Sequence, residues 1–548
     1  MDTCFQRKPA ATRAVAAGSR NALAALLLAG LLAGCAALDK RDTPVTVHDA
    51  PGCAAWYEAL DAVTREAGVS DGSAHRLAGY PFLRSNRFLA AWGEEVADSP
   101  AAFEAWVGRL AELDRQARVV ELANLPLQFV PPLVEHAVAG TGKPAIAART
   151  QQCSQQAQTM LISVTGASAP ARRLLAGRAR VPDDYSALKR TFGLYSLTRL
   201  PFFKGVERWQ QSTAETFAAR ASEPADPAAP VVRYTPAGAP LTAGQVAALY
   251  ARRQPDALGM ARLSAQDEAL LLRAYAPDVD LETRGAYDRF GPLQWADDAS
   301  AGQAIPPGSE PSPGVALGQP VMYQRIAYTR YENQTLMQLV YSVWFPGRPS
   351  AGGLDLLSGK LDSVVLRLTL APDGTPWLYD SIHACGCYHL FLPTLRAVPR
   401  PPPPAAAGEA AAPVEWAFVP ATLPAMTVGQ RVVMRLASGT HYVEGLRPLT
   451  TDAPAGTSGA AATFALMDDN ALRALPVGDP SGGVTRSAFW PSGIVPGTER
   501  GERLLFWPMG IDSPGAMRQW GRQPTAFVGR RHFDDARLME LRFELKGP

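Results

Sequence analysis

His383-Ala384-Cys385-Gly386-Cys387-Tyr388-His389 gathers two of the seven histidines and two of the six cysteines of this chain within seven residues. Imidazole nitrogen and thiolate sulfur are the donors that Zn(II) and Cu(I) prefer. On an extended strand side chains alternate between faces, so all four would share one side. Alternate strand residues stand ~6.6 Å apart, so one strand cannot close four ligands on a single ion. Two neighbouring donors can share an ion with ligands from elsewhere, or Gly386 can bend the chain and bring the ends together. The spacing is neither the CxxC of zinc ribbons nor the CxxCH of c-type haem. Three arrangements stay open. One is a Cys385–Cys387 bridge, strained by its small ring and easily reduced. The second is a zinc or copper site at His383, Cys385, Cys387 and His389. The third is a pair of buried thiols beside hydrogen-bonded core histidines.

Around this cluster the chemistry thins. Asp380 could orient a histidine as a supporting carboxylate, but in a regular strand it faces the other way. Arg530-Arg531-His532-Phe533-Asp534-Asp535 reads as a solvated charged loop, with an anion or ligand site as the alternative. Tyr80-Pro81-Phe82-Leu83-Arg84 and Arg87 read as a loop packed onto the core, or as a groove lining. His441, Glu444 and Asp373 have no partner assignable from sequence. HExxH, a glycine-rich phosphate loop and the GxGxxG dinucleotide fingerprint are absent from the sequence, and GxSxG occurs once, at Gly68-Val69-Ser70-Asp71-Gly72.

The elements that must position these residues fall into two kinds. Residues 51–220 read as a helical domain. Phe103, Trp106, Val107, Leu110 and Leu113 recur every three or four positions, with Ser99-Pro100 as a start signal. Similar periodicity covers 146–164 and 185–217. Residues 221–244, rich in Pro and Ala, read as a linker, and 245–318 as a helical patch followed by a proline-bearing loop. Residues 319–548 change character. Short apolar or alternating runs at 322–328, 336–345, 364–370, 377–392, 431–436 and 503–507 are separated by turn signals such as Pro372-Asp373-Gly374. The expected fold is α+β: a helical N-terminal half, then a mainly antiparallel β sandwich or barrel with a Pro/Ala-rich insertion at 399–413.

The first 35 residues carry a different message. Arg7, Lys8, Arg13 and Arg20 precede an apolar run over 22–33, followed by Gly34 and Cys35. This is the layout of a secretory signal, and the run is too short to span a bilayer. Leu32-Ala33-Gly34-Cys35 resembles the lipobox of bacterial lipoproteins. That resemblance implies cleavage of residues 1–34, lipidation of Cys35, a tether over 35–50 and a protein held on a membrane by acyl chains. Ala36, where an Asp would signal the inner membrane, implies the outer membrane, facing the periplasm. The chain as a whole resembles uncharacterised envelope lipoproteins of bacteria.

With Cys4 lost and Cys35 acylated, four cysteines remain for an oxidising compartment. Three pairings are possible. Cys53 with Cys153 is the simplest, leaving the C-terminal pair as a local unit. Formal net charge is +2 over 548 residues, which gives no electrostatic case for nucleic acid. Two function classes follow. One is a non-catalytic binding or assembly factor whose partner is an envelope protein or a small molecule. The other is a metal- or thiol-dependent periplasmic enzyme using the cysteine–histidine cluster.

Overall fold

Three long helices build the N-terminal part of the computed structural model: α1 (Cys53–Glu66), α2 (Pro100–Asn124) and α3 (Gly142–Thr165). The start of α2 follows the sequence signal. The Ser99 hydroxyl accepts from the Ala102 N–H at 3.2 Å, satisfying one of the donors that a helix N-terminus leaves open. Phe103, Trp106, Val107 and Leu110 are fully buried. Cys53 of α1 and Cys153 of α3 form the expected disulfide. Between these helices and the strand Tyr80–Ser85 runs an ionic network. Arg84, wholly buried, donates to Asp114 at 2.9 Å and to Glu121 at 2.8 Å. A fourth long helix, α4 (Tyr195–Ser222), continues toward the sheet.

The structure describes residues 52–135, 140–222, 230–295, 312–353, 355–403, 413–450, 461–478 and 483–547. The leader, Cys35 and the tether lie outside them, as do 223–229 of the expected linker, 296–311 of the proline-bearing loop and 404–412 of the Pro/Ala insertion. The described residues belong to one compact unit, Asp49–Pro548. Among them no helix is long and apolar enough to cross a membrane.

Ten strands form one mixed sheet. In chain order they are β1 (Val231–Pro236), β2 (Asp278–Glu282), β3 (Val321–Tyr331), β4 (Gln334–Arg348), β5 (Gly359–Leu370), β6 (Pro376–His383), β7 (Leu390–Pro393), β8 (Val432–Leu436), β9 (Val443–Pro448) and β10 (Ala461–Asp468). Their order across the sheet is β7-β6-β5-β4-β3-β10-β1-β2-β8-β9. The run β3 to β7 is an antiparallel meander. β10 is the splice: its first half pairs parallel to β1 and its second half parallel to β3.

Four expectations change here. β1 lies in the span read as a linker, and β2 in the span read as a helical patch, yet both are interior strands. Residues 503–507, read as a strand, form a helical turn instead, Arg503–Phe506 running into Trp507–Met509. The segment 377–392 is not one strand. It breaks into β6 and β7 with a turn between them.

The sheet curls into a nearly closed barrel. Tyr442, directly before β9, packs on Tyr388, shortly before β7, with ring centroids 4.5 Å apart. Trp209 of α4 lies over this seam, 5.6 Å from Tyr388 and 5.2 Å from Phe418. Inside the curl, Leu339, Tyr341, Val343 and Phe345 of β4 join Leu366 and Leu368 of β5 and Val279 and Leu281 of β2 in one core. The outward residues Val340, Trp344 and Val365 pack under Phe489, Val495, Met517 and Phe533. The meander is therefore covered on both faces, which accounts for strands apolar on both sides.

Candidate functional site

The turn between β6 and β7 puts the cysteine–histidine cluster in place. The His383 N–H donates to the Cys387 carbonyl at 3.0 Å, and the Gly386 N–H donates to the His383 carbonyl at 2.8 Å. Gly386 adopts φ +93°, and a Cβ there would sit 2.0 Å from the Pro524 carbonyl oxygen. Only glycine meets both demands. The bend separates the four candidate ligands. Cys385 and Cys387 stay together as buried free thiols, the Cys387 N–H 3.4 Å from the Cys385 sulfur. A side-chain hydrogen bond with Cys385, together with burial, pushes the Cys387 thiol well above its usual value, so it stays protonated. Each histidine goes to its own carboxylate. Among the described residues no three His, Cys, Asp or Glu side chains are placed to hold a metal ion.

His389 turns back onto β6, its Nε2 3.0 Å from Asp380 Oδ2. Asp380 thus supports a histidine after all, because the chain reverses between them. Arg367, across the strand pair on β5, holds the same carboxylate. Burial, joined by the charge of Arg531, pushes His389 down to about 3 against the pull of Asp380. His389 is a neutral imidazole. The segment 530–535 is not a solvated loop: Arg531, His532 and Phe533 are all buried, and the Arg367 guanidinium lies 3.8 Å from the Phe533 ring centroid.

The second centre forms around Asp362 at the start of β5. Its Oδ1 lies 3.2 Å from His383 Nδ1 and 3.4 Å from an Arg500 nitrogen. Its Oδ2 lies 2.9 Å from Nδ1 of His441. The other nitrogen of His441 faces the Tyr287 carbonyl at 3.2 Å and Asp288 Oδ1 at 3.5 Å. Carbonyl and carboxylate oxygens accept and cannot donate, so both ring nitrogens of His441 carry protons. The ring is an imidazolium, stacked 3.8 Å from Phe345 with 5° between planes. Burial works to lower the His441 value, but Asp288 and Asp362 raise it overall. Burial likewise opposes ionisation of Asp362, yet His383, His441 and Arg500 hold it well below the usual carboxylate range.

His383 differs from His441. Its Nδ1 faces Asp362, while its Nε2 is buried with no protein partner. Tyr388 and Tyr442 roof this ring, at 5.0 Å and 5.6 Å between centroids, and both are half-exposed. Nearby, burial pushes Glu502 up to about 7 against the pull of Arg500 and Arg348.

Backbone strain gathers at the same place. Among the described residues six non-glycine positions have positive φ, and Leu361 (+51°), Tyr388 (+62°) and His441 (+53°) are three of them. Each flanks or belongs to the Asp362 centre. Such conformations cost about 1–3 kcal/mol each and persist where the surroundings enforce them.

His441, Glu444 and Asp373, unassigned from sequence, all find partners. Glu444 accepts from Arg220 at 3.1 Å, and Asp373 from Arg396 at 2.7 Å. Arg87 bridges Asp184 at 2.9 Å and Asp534 at 3.2 Å. Sequence reasoning missed Asp362, Asp288, Arg500 and Glu502. The one available signal was Asp362 itself, a lone carboxylate opening an apolar run. No protein family matches the chain, and neither curated proteins nor solved structures give a match.

Proposed function

We propose that the protein is lipid-anchored in the bacterial cell envelope, faces the periplasm, and works as a non-catalytic binding or assembly factor. The anchor rests on the basic leader, the short apolar run and Leu32-Ala33-Gly34-Cys35. The observation that carries the non-catalytic reading is the sealing of the reactive set. His383, Cys385, Cys387 and His389 are each no more than 8% exposed. A buried histidine–carboxylate pair then fixes the seam of the barrel instead of meeting a substrate. Replacing Cys35 by Ala should release the protein from membranes and abolish fatty-acid labelling. Persistent membrane partition with label retained would overturn the anchor.

One observation favours the second reading, a metal- or thiol-dependent enzyme. His383 keeps an uncommitted Nε2 beneath two half-exposed tyrosines held in strained surroundings. Metal analysis with a free-thiol count on folded protein separates the two. Stoichiometric metal, or cysteines that react before unfolding, would favour the enzyme.

A further inference from the structure

Large apolar side chains are exposed unevenly over this surface. Of the seventeen exposed ones among the described residues, eight fall in residues 188–200 and 504–507, each between 41% and 73% exposed. The two stretches touch. The short helix Ala187–Phe192 and the start of α4 pack against the turn Trp507–Met509. Phe202 meets Phe506 with ring centroids 5.0 Å apart, and Lys189 pairs with Asp512 at 2.7 Å. A monomer that leaves such a patch in water exposes an interaction surface.

The charges around the patch have one dominant sign. Between residues 187 and 208 four Lys or Arg reach the surface, Lys189, Arg199, Lys204 and Arg208, with Arg190 buried, against a single acid, Glu207, which pairs with Lys204 at 3.0 Å. Along α4 the exposed positions Leu197, Leu200, Lys204 and Arg208 recur at helical spacing, so one stripe passes from leucine to cation. Beside the patch a cavity of about 720 Å³ is lined by Lys189, Arg503, Leu504 and Trp507 together with Glu499 and Asp512. Apolar side chains grading into cations, with a tryptophan at the border, match the interfacial layer of an anionic bilayer. Sixteen residues separate Cys35 from Gly52, and the span reaches at most ~60 Å when extended. An acylated Cys35 would therefore keep the patch at high effective concentration near a membrane, where weak contact suffices.

We propose that this patch is a second membrane contact. Phe192, Leu197, Leu200, Leu504, Leu505 and Trp507 enter the headgroup–acyl boundary of an anionic phospholipid bilayer, and Lys189, Arg199, Lys204 and Arg503 meet its phosphates. The proposal rests on the lipoprotein reading only for the proximity of the membrane.

The test uses the mature protein purified from cells with Leu504→Cys carrying an environment-sensitive fluorophore. The other cysteines expected after maturation are acylated, bridged or buried. Added to phosphatidylglycerol/phosphatidylethanolamine vesicles, the probe should shift to the blue and brighten. The double variant Leu197→Glu/Leu200→Glu, shown by its melting curve to be folded, should weaken that response roughly tenfold or more. Pure phosphatidylcholine vesicles should also weaken it. A probe at Leu127, 76% exposed after α2, should stay in water. Mass spectrometry of the N-terminal peptide reads the anchor separately. Acylated protein that floats with vesicles while the Leu504 probe reports water would overturn the patch proposal and leave the anchor standing. Unacylated protein with a buried probe would do the reverse. A probe that stays in water with lipid but shifts with solubilised envelope proteins would make the patch a protein interface and overturn the proposal.

Discussion

Histidine takes opposite charge states at two positions of one sheet, and the cause is the count of acceptors against cations. His441 has oxygen acceptors at both ring nitrogens and is charged. His389 has one carboxylate, no partner on Nδ1, and Arg531 close by, and is neutral. The neutral ring makes the protein acid-sensitive. His389 sits at about 3 when folded and near 6.5 when unfolded, so between those values the unfolded chain binds a proton that the folded one does not. The His389 contribution to stability therefore falls as pH is lowered from 6.5 toward 3. Glu502, raised to about 7, contributes the opposite slope between 7 and 4.5, so the His389 share is read as the difference between the urea midpoints of wild type and His389→Gln at pH 7, 5 and 4. In His389→Gln, which keeps a donor for Asp380, that part of the profile should flatten; an unchanged profile would show that His389 protonates freely in the fold. Little of this was legible in the sequence. The cluster stood out, but its histidines are satisfied by Asp362 and Asp380, and the Asp362–His441 contact joins residues 79 positions apart. Spacing rules do not reach that far.

At the level of elements, local signals were readable where a short-range force decides the outcome. Ser99-Pro100 caps α2, and Pro372-Asp373-Gly374 turns β5 into β6 with Gly374 at φ +86°. β2 carried the alternation of a half-buried strand, Asp-Val-Asp-Leu-Glu, with Val279 and Leu281 inward. Asp280 pairs with Arg233, and Glu282 with Arg435. It was masked by the helix pattern before it. β1 was masked by its prolines. The run Arg503–Trp507 is too short for periodicity to separate strand from helix. The turn at Gly386 is the element with the least tolerance. Gly386→Ala should cost about 2 kcal/mol or more, since left-handed backbone and a close carbonyl act together. Gly68→Ala, at φ +68° with nothing within 4 Å, should cost only ~1 kcal/mol. Denaturant unfolding of the pair checks this, and equal losses would mean the Pro524 segment yields easily.

For the whole molecule, the passage from helices to sheet was legible in outline from the change in periodicity near residue 319, although β1 and β2 lie before it, and the closure of the barrel was not legible. Strands from 231 to 468 meet in an order that no local pattern encodes. The disulfide acts at this scale too. It closes a loop of 100 residues, so Cys53→Ala/Cys153→Ala should lower stability by up to ~4.7 kcal/mol in the chain-entropy picture. Non-reducing peptide mapping should recover Cys53 and Cys153 in one linked fragment, and alkylation of either without reductant would contradict the bridge. The splice strand has a consequence for the order of events during synthesis. β1 and β2 emerge first and pair as a two-stranded ribbon, and β3 to β7 follow as a meander with an open flank. Neither can join the other until Ala461–Asp468 arrives between them. A nascent chain halted upstream of that segment would present two raw hydrogen-bonding margins at once, the condition under which unfinished sheets recruit one another. The late placement of one eight-residue strand thus ties closure of the barrel to nearly complete translation.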